Sequence, residues 1–278
     1  MKRGILAAVL LMCGLGTAFA ASPSAPLDAF KGQKGVVDIA GGTAHISVMK
    51  EAARQIMAVS PDIRITVAGG GSGVGVQKVG EGIVQIGNTG RALKPAEVEK
   101  YGLVTFPFAI DGVAVAVNPA NRVAELTREQ IRDIFSGKIE NWKEVGGVDA
   151  PISVYVREDG SGTRETFEDR AVDKDAPSIK ANVISSNGAM KTAISQDPNA
   201  IGYVGIGHLD DSIKGICIDG VAPSQENAAS GKYKVTRLLY MNTKGEPQGI
   251  VKAFVDYIFT PAGQKIVSDA GYIPYVKK

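Results

Sequence analysis

Apolar residues along the chain fall into two alternating patterns, short runs typical of buried strands and longer stretches with helical spacing. Strands are predicted at residues 36–40, 63–67, 83–87, 103–108, 112–117, 154–156, 200–205 and 235–241. Helices are predicted between them, among them 46–57, 94–101, 127–135, 190–195, 249–259 and 262–270. Strands that alternate with helices indicate an α/β fold in which a mainly parallel sheet carries helices on both faces.

Three of the predicted strands end in a glycine turn that carries a hydroxyl group and leads into a helix. The turns are Gly41-Gly42-Thr43-Ala44, residues 68–75 with Ser72, and Asp159-Gly160-Ser161-Gly162-Thr163. Helix N-termini present unpaired N–H groups, and ligands of such sheets bind at the carboxyl ends of strands. One such turn is also consistent with an ordinary connection. Three turns, with Arg157 before the third, favour a receptor for a small tetrahedral oxyanion.

The first 35 residues differ in composition from the rest. Basic Lys2 and Arg3, an apolar run over 5–15 and Ala18-Phe19-Ala20 are typical of a signal peptide, which we predict over residues 1–20. Residues 21–35 are predicted to be a flexible leader. The apolar run is too short to cross a bilayer, so we expect a periplasmic or secreted protein. Lipid anchoring through Cys13 is an alternative, but Met12 stands where a small residue would be expected.

The charge balance excludes some classes of partner. Without Lys2 and Arg3, 29 basic residues remain against 29 acidic ones, so nucleic acid or anionic membrane binding has no electrostatic support. An anion would have to be bound by local dipoles and very few charges. With Cys13 removed, Cys217 is the only cysteine, which precludes an intramolecular disulfide, and its apolar neighbours predict a buried strand thiol.

Nucleotide, hydrolase and metal sites find less support. The glycines of 69–75 are not followed by Lys-Ser/Thr and lack dinucleotide spacing. No G-x-S-x-G pattern surrounds Ser72 or Ser161, and His45 and His208 are the only histidines, which disfavours a secreted serine phosphatase or esterase. We expect no metal site and no cofactor.

The chain resembles the phosphate-binding proteins that serve ABC-type phosphate importers, from Gly41 to Tyr275. The most specific block is Arg157-Glu158-Asp159-Gly160-Ser161-Gly162-Thr163, supported by the first two glycine turns, residues 200–204 and residues 260–265. The resemblance implies a type II periplasmic binding protein with two α/β lobes. Lobe 1 would hold residues 36–115 and 233–278 and lobe 2 residues 116–232, with hinge crossings near Val117 and Val235.

The resemblance also implies a function. The lobes would close over one phosphate, which a monomeric, non-enzymatic receptor would deliver to a membrane permease. A receptor for another tetrahedral oxyanion and a sensory phosphate receptor remain alternatives. By position, the phosphate ligands would be the Thr43 hydroxyl, the Ala44 N–H, Ser72, Arg157, Ser161, Gly162 and Thr163. Asp159 would orient Arg157.

One departure from the family concerns the acceptor for the phosphate proton. Long members carry an aspartate after the third strand, whereas this chain reads Asn88-Thr89-Gly90-Arg91. Further candidates at the site are therefore Thr89, Arg91, Asp111 and Asn187, with Ser186 of the same kind. Asp111 is a candidate proton acceptor and Arg91 a second positive contact. The alternatives are that Asp111 caps a turn and that Arg91 is solvated.

Overall fold

The computed structural model describes residues 25–174, 177–178 and 180–275. They form an α/β fold built on a ten-stranded sheet and a separate two-stranded one, which confirms the predicted fold class. The predicted signal peptide, Cys13 and residues 21–24 of the leader lie outside the described residues. Within these ranges, no helix is long and apolar enough to cross a membrane.

The elements are numbered in chain order. The strands are β1 (Gly35–Gly41), β2 (Ile63–Gly70), β3 (Ile86–Thr89), β4 (Leu103–Val117), β5 (Glu125–Leu126), β6 (Ser153–Arg157), β7 (Asn182–Ile184), β8 (Ala200–Gly205), β9 (Lys214–Gly215), β10 (Cys217–Ile218), β11 (Thr236–Lys244) and β12 (Ile273–Pro274). The helices are α1 (Ala25–Asp28), α2 (Ile46–Val59), α3 (Gly71–Gly80), α4 (Pro95–Tyr101), α5 (Arg128–Ser136), α6 (Gly162–Arg170), α7 (Asn187–Gln196), α8 (Gln225–Ala229), α9 (Gly249–Phe259) and α10 (Pro261–Asp269). Short 3₁₀ turns cover Thr43–His45, Trp142–Val145 and Ile206–His208.

The main sheet has the order β2-β1-β3-β11-β4-β8-β6-β7, with β9 and β12 paired to β4. β1 is parallel to β2 and β3, and β6 is parallel to β7 and β8. β11 runs antiparallel to β3 and β4, and β4 runs antiparallel to β8. The parallel strands of each half therefore present their carboxyl ends, and the glycine turns that follow them, to the middle of the molecule.

Strand β4 is continuous over 15 residues, where the pattern predicted two strands. It pairs with β11 as far as Gly112, opposite Thr236, and with β8 from Val113, opposite Gly205. Pro107 lies beside a register shift in the β4–β11 ladder, a place where a residue without an N–H is tolerated. The exchange of sheet partners thus lies a few residues before Val117. The hinge crossing that we predict near Val117 stays a prediction.

Two main hydrophobic cores lie on either side of this exchange. The buried residues of the first come from 30–109 and 239–272, and include Met49 and Phe254. Those of the second all come from 113–235, and Phe167 stacks there on Tyr203 at 4.1 Å between ring centroids. We call the parts packed around the first and second cores lobe 1 and lobe 2. The exact lobe bounds remain a prediction.

Several helix ends follow the sequence signals. The Thr127 hydroxyl accepts from the Gln130 N–H while the Gln130 side chain accepts from the Thr127 N–H, the predicted capping box. Gly137 ends α5 with φ of 81°, a left-handed conformation that favours glycine. Thr260 caps α10 ahead of Pro261.

Two local expectations differ from the structure. Residues 25–28 of the predicted leader form α1, and Phe30 is buried in the first core with its ring edge-on to Tyr257. An aromatic side chain that buries this much apolar surface anchors the segment instead of leaving it free. Cys217 lies in the two-residue strand β10 and is partly exposed, so the prediction of a buried thiol is wrong.

Candidate functional site

The three glycine turns converge on one small pocket between the lobes. Thr43 begins a 3₁₀ turn that continues into α2, Ser72 is the second residue of α3, and Gly162 is the first of α6. The pocket has an empty volume of about 190 Å³ and is lined by residues 42–45, 71, 72, 90, 157, 161–163 and 237. All seven residues that the resemblance assigned to phosphate line it: Thr43, Ala44, Ser72, Arg157, Ser161, Gly162 and Thr163.

Two serine hydroxyls of the pocket each accept one hydrogen bond from the backbone. Ser72 Oγ accepts from the Gly90 N–H at 3.0 Å, and Ser161 Oγ caps α6 by accepting from the Arg164 N–H at 3.3 Å. A hydroxyl has two lone pairs and one proton. Each serine therefore keeps one lone pair and its proton for a ligand.

Two threonine hydroxyls each accept two hydrogen bonds. Thr43 Oγ1 accepts from Asn187 N at 3.3 Å and from Asn187 Nδ2 at 3.0 Å. Thr163 Oγ1 accepts from Arg237 Nη1 at 2.9 Å and from Asn187 Nδ2 at 3.5 Å. Within the described chain, neither hydroxyl donates to a protein acceptor. Both threonines are thereby restricted to donating towards a ligand.

Arg157 supplies a buried positive charge, with 1% of its side chain exposed. Its Nε and Nη2 donate to the two carboxylate oxygens of Glu158 at 2.8 Å each, and Nε also donates to Ile184 O at 3.1 Å. Nη1 is buried and has no partner among the described residues, so it is available to an anion. The expectation that Asp159 orients Arg157 is wrong, because Asp159 is 97% exposed and pairs with Arg164 at 2.7 Å.

Contacts between the lobes show that the pocket is closed. The Gly73 N–H donates to Gly160 O at 3.0 Å, and the bonds from Asn187 to Thr43 also join the two lobes. The amide of Asn187 is oriented by the Gly205 N–H, which donates to its Oδ1 at 3.2 Å. These contacts hold the two lobes together beside the pocket.

The further candidates occupy positions around the pocket without lining it. Arg91 forms a two-point ion pair with Glu97 and a contact of 2.9 Å with Glu165, and Thr89 donates to the Arg91 carbonyl at 2.8 Å. Arg91 thus links the lobes near the site. Ser186 caps α7 by accepting from the Ala189 N–H.

Asp111 is buried behind the pocket and is engaged by Arg237. Its Oδ2 accepts from Nε at 3.0 Å and Nη2 at 2.7 Å of that guanidinium. Burial raises the pKa of the Asp111 carboxyl, and the Arg237 charge opposes this rise. No carboxylate lines the pocket among the described residues.

Arg237 is a pocket residue that the sequence reasoning missed. A charged residue inside the apolar strand 235–241 was the available signal, and Asp111 in a second apolar strand was its counterpart. The two are register partners in the β4–β11 ladder, but sequence patterns do not show which strands are neighbours.

His45 is buried and His208 is half-buried, and both are neutral at physiological pH. Burial, with a further contribution from the Arg237 charge, lowers the pKa of His45 to about 3. Burial and nearby cations likewise lower the pKa of His208 to about 4. His45 Nδ1 contacts Gly42 O at 3.1 Å, which places its proton on Nδ1. The His45 ring packs on Phe108 at 5.6 Å.

The arrangement offers several hydrogen-bond donors to an anion. Neither Ser72 nor Ser161 is hydrogen-bonded to a histidine or a carboxylate; each accepts from a backbone N–H. Within the described ranges, no group of three histidine, cysteine or acidic side chains is placed to hold a metal.

Comparison with known proteins gives consistent matches. A family model described as a PBP superfamily domain matches residues 28–262. The phosphate-binding protein PstS of Bacillus subtilis is 39% identical over 286 residues, which cover 99% of this chain and 95% of that protein.

Solved structures agree with the sequence matches. A Clostridium perfringens protein with bound phosphate, assigned as a phosphate ABC transporter substrate-binding protein, is 36% identical with a TM-score of 0.82, covering 87% of this chain and all (100%) of that one. An ABC-type phosphate transport receptor from Vibrio cholerae is 33% identical with a TM-score of 0.69, covering 85% of this chain and 99% of that one.

Proposed function

This chain belongs to the PstS family of phosphate-binding proteins within the PBP superfamily, and we propose that it binds inorganic phosphate for an ABC-type importer. Its fold is the type II periplasmic binding fold of that family. The closed pocket between the lobes is the proposed phosphate site, with Thr43, Ala44, Ser72, Arg157, Ser161, Gly162 and Thr163 as its ligands.

The orientation of the four pocket hydroxyls carries the proposal. Each accepts N–H groups of the protein, so each has its proton left for the ligand. The first N–H groups of α3 and α6 add donors that have no acceptor within their helices. Together with the unpaired Nη1 of Arg157, they surround a space suited to a small anion with several oxygens.

The protonated oxygen of phosphate also needs a hydrogen-bond acceptor, and no carboxylate of the described residues lines the pocket. The remaining lone pairs of Ser72 and Ser161 can receive this proton, because each serine accepts only one hydrogen bond from the protein. We therefore assign the acceptor role to a serine instead of Asp111, which does not line the pocket and whose Oδ2 accepts from Arg237.

Binding proceeds in this proposal by closure of two lobes. The hinge would lie where β4 exchanges partners at Gly112 and Val113, and where the chain returns at Val235 and Thr236. Phosphate bridges donors from both lobes, so it stabilises the closed state over the open one by its extra contacts there. The contacts between Asn187 and Thr43 form only on closure.

The remaining parts of the proposal follow from family membership. The partner would be the membrane permease of an ABC importer, and the predicted signal peptide would direct the protein to the periplasm or outside the cell. The protein would act as a monomer.

Isothermal titration of the mature protein tests the ligand. We expect one phosphate per chain, competition by arsenate, and weaker competition by sulfate and molybdate. Arg157→Lys should weaken binding, because an ammonium cannot keep both Glu158 contacts and still donate to the ligand. Tight sulfate or molybdate binding without phosphate binding would refute the assignment and leave the fold untouched.

The alternative of a secreted serine phosphatase has a separate test. Ser161 has no histidine or carboxylate partner to activate it. We expect no turnover of a chromogenic phosphate ester; turnover that disappears in Ser161→Ala would support the enzyme instead.

A further inference from the structure

Arg237 lies where the two lobes meet. It is the second residue of β11, opposite Asp111 of β4, next to the point where β4 leaves β11 for β8. Its side chain is 4% exposed and that of Asp111 is fully buried (0% exposed). The carboxylate holds Nε and Nη2 of the guanidinium, which fixes the direction of the third nitrogen.

The third nitrogen reaches across to lobe 2. Nη1 donates to Thr163 Oγ1 at 2.9 Å, and Asn187 Nδ2 occupies the other lone pair of that hydroxyl at 3.5 Å. Thr163 can then only donate, and it cannot accept from a protonated phosphate oxygen. Arg237 also lines the pocket itself, so its charge acts directly on a bound anion.

The contacts of Arg237 with Thr163 and with the pocket are not needed for an ion pair with Asp111 that only joins two strands. A pair with Asp111 alone would neutralise both charges, yet one nitrogen is directed at a ligand-facing hydroxyl. In this arrangement the Thr163 hydroxyl can no longer accept a hydrogen bond from a ligand, and the Arg237 guanidinium adds a positive charge to the pocket.

We propose that Arg237 is a positioning and specificity residue of the anion site, which directs the Thr163 hydroxyl at the ligand and makes the site prefer the dianion of phosphate to the monoanion. This inference rests on the proposed phosphate function. The dianion carries one proton fewer than the monoanion, so it needs one hydrogen-bond acceptor fewer in a pocket that has few. Its larger negative charge also gives a stronger electrostatic attraction to a second guanidinium.

Three of the titratable groups near Arg237, namely His45, His208 and Tyr272, do not titrate in the range where phosphate does. Burial and the Arg237 charge hold the pKa of His45 at about 3, and burial holds that of His208 at about 4. Burial raises the pKa of Tyr272 far above neutral. Asp111 is the exception, because burial raises the pKa of its carboxyl while the ion pair with Arg237 opposes the rise. A change in affinity between pH 6 and pH 8 that persists in Asp111→Asn would therefore report the ionisation of the ligand.

The experiment is calorimetric titration with inorganic phosphate at pH 6 and pH 8. For the wild type we expect binding on the order of tenfold tighter at pH 8, because phosphate changes largely from monoanion to dianion over this range. Arg237→Gln should raise Kd at pH 8 by roughly tenfold or more, as expected for loss of a charge-assisted contact. Its Kd values at pH 6 and pH 8 should then be nearly equal. The matched control Arg64→Gln, an exposed arginine of β2, should behave as the wild type.

A double-mutant cycle separates positioning from general structural support. Thr163→Val and Arg237→Gln should each weaken binding, and the double variant should be little worse than Arg237→Gln alone, because the arginine acts partly through this hydroxyl. Arg237→Lys should restore part of the preference for pH 8, since it restores the charge. If Arg237→Gln does not fold because Asp111 is left unpaired, Asp111→Asn/Arg237→Gln removes both charges and takes its place.

The outcomes are distinct. An Arg237→Gln variant that keeps the wild-type ratio of affinities between pH 6 and pH 8, or losses that simply add in the cycle, would overturn the inference. A wild type that binds no phosphate at all would instead refute the proposed function.

Discussion

Ser161 and Ser186 hold equivalent positions at the starts of two lobe 2 helices. Each caps its helix by accepting from the N–H three residues later, at 3.3 Å for Ser161 and 3.0 Å for Ser186. Only Ser161 also lines the pocket. The pair therefore separates the structural part of a serine hydroxyl from its part in binding.

Replacing each serine by alanine should lower the free energy of unfolding by about 1 kcal/mol through loss of the cap. Ser161→Ala should in addition raise the Kd for phosphate about ten- to a hundredfold, because it removes a hydrogen bond to a charged ligand. Ser186→Ala should leave Kd unchanged. Urea unfolding and calorimetry measure both quantities. Equal effects of the two variants on Kd would contradict the role of Ser161.

Some site residues could be predicted from the sequence and others could not. The hydroxyls and Arg157 follow strands in sequence, so glycine-turn patterns were sufficient to find them. Arg237 and Asp111 are 126 residues apart, and only the β4–β11 register brings them together. Glu158 and Asp159 are adjacent, and which of them reaches Arg157 depends on side-chain direction, which spacing does not determine.

At the scale of the element, the helix N-termini also limit how closely the lobes approach. Gly162, first in α6, packs against lobe 1 so tightly that an added Cβ would lie 2.3 Å from Ser72 Oγ and 3.0 Å from the Gly90 carbonyl carbon. At Gly188, the second residue of α7, an added Cβ would lie 4.0 Å from its nearest neighbour, Ser186 Oγ. A methyl group is thus excluded at one helix start and tolerated at the other.

Gly162→Ala should weaken phosphate binding about tenfold or more, because the closed state becomes harder to reach. Its stability without phosphate should stay close to that of the wild type. Gly188→Ala should keep its affinity and gain up to about 1 kcal/mol in stability from the better helix former. Calorimetry with unfolding in phosphate-free buffer distinguishes the two. Wild-type affinity in Gly162→Ala would show that the lobes do not close to the observed distance.

The alternation of strands and helices was visible in the sequence, whereas the continuity of β4 was not. The pattern predicted separate strands at 103–108 and 112–117, and Asp111 lies in the gap between them. The bulge accommodates Pro107, and Arg237 neutralises the aspartate. Both compensations are tertiary, so no local pattern contains them.

At the scale of the whole molecule, the two histidines link stability to pH. Unfolded His45 takes up a proton below its ordinary pKa of 6.5, whereas burial lowers the pKa in the folded protein to about 3. Between these values the unfolded state binds more protons, so folding stability falls as the pH falls. The pKa of His208, lowered to about 4, acts in the same direction.

We expect the free energy of unfolding to drop by several kcal/mol between pH 7 and pH 4, since each tenfold difference in proton affinity corresponds to about 1.4 kcal/mol. His45→Asn keeps a donor for Gly42 O but cannot be protonated, so its drop should be smaller than that of the wild type. Urea titrations at the two pH values, without phosphate, give this difference. An identical drop in both proteins would contradict the contribution of His45.

The two cores differ in how the chain supplies them. Every buried residue of the second core comes from the unbroken segment 113–235, whereas the first core combines residues 30–109 with residues 239–272. A contiguous segment closes shorter loops, so it folds sooner than one that waits for a distant partner. As the polypeptide folds, lobe 2 can therefore be complete while the N-terminal strands still lack β11, and the anion site is assembled last.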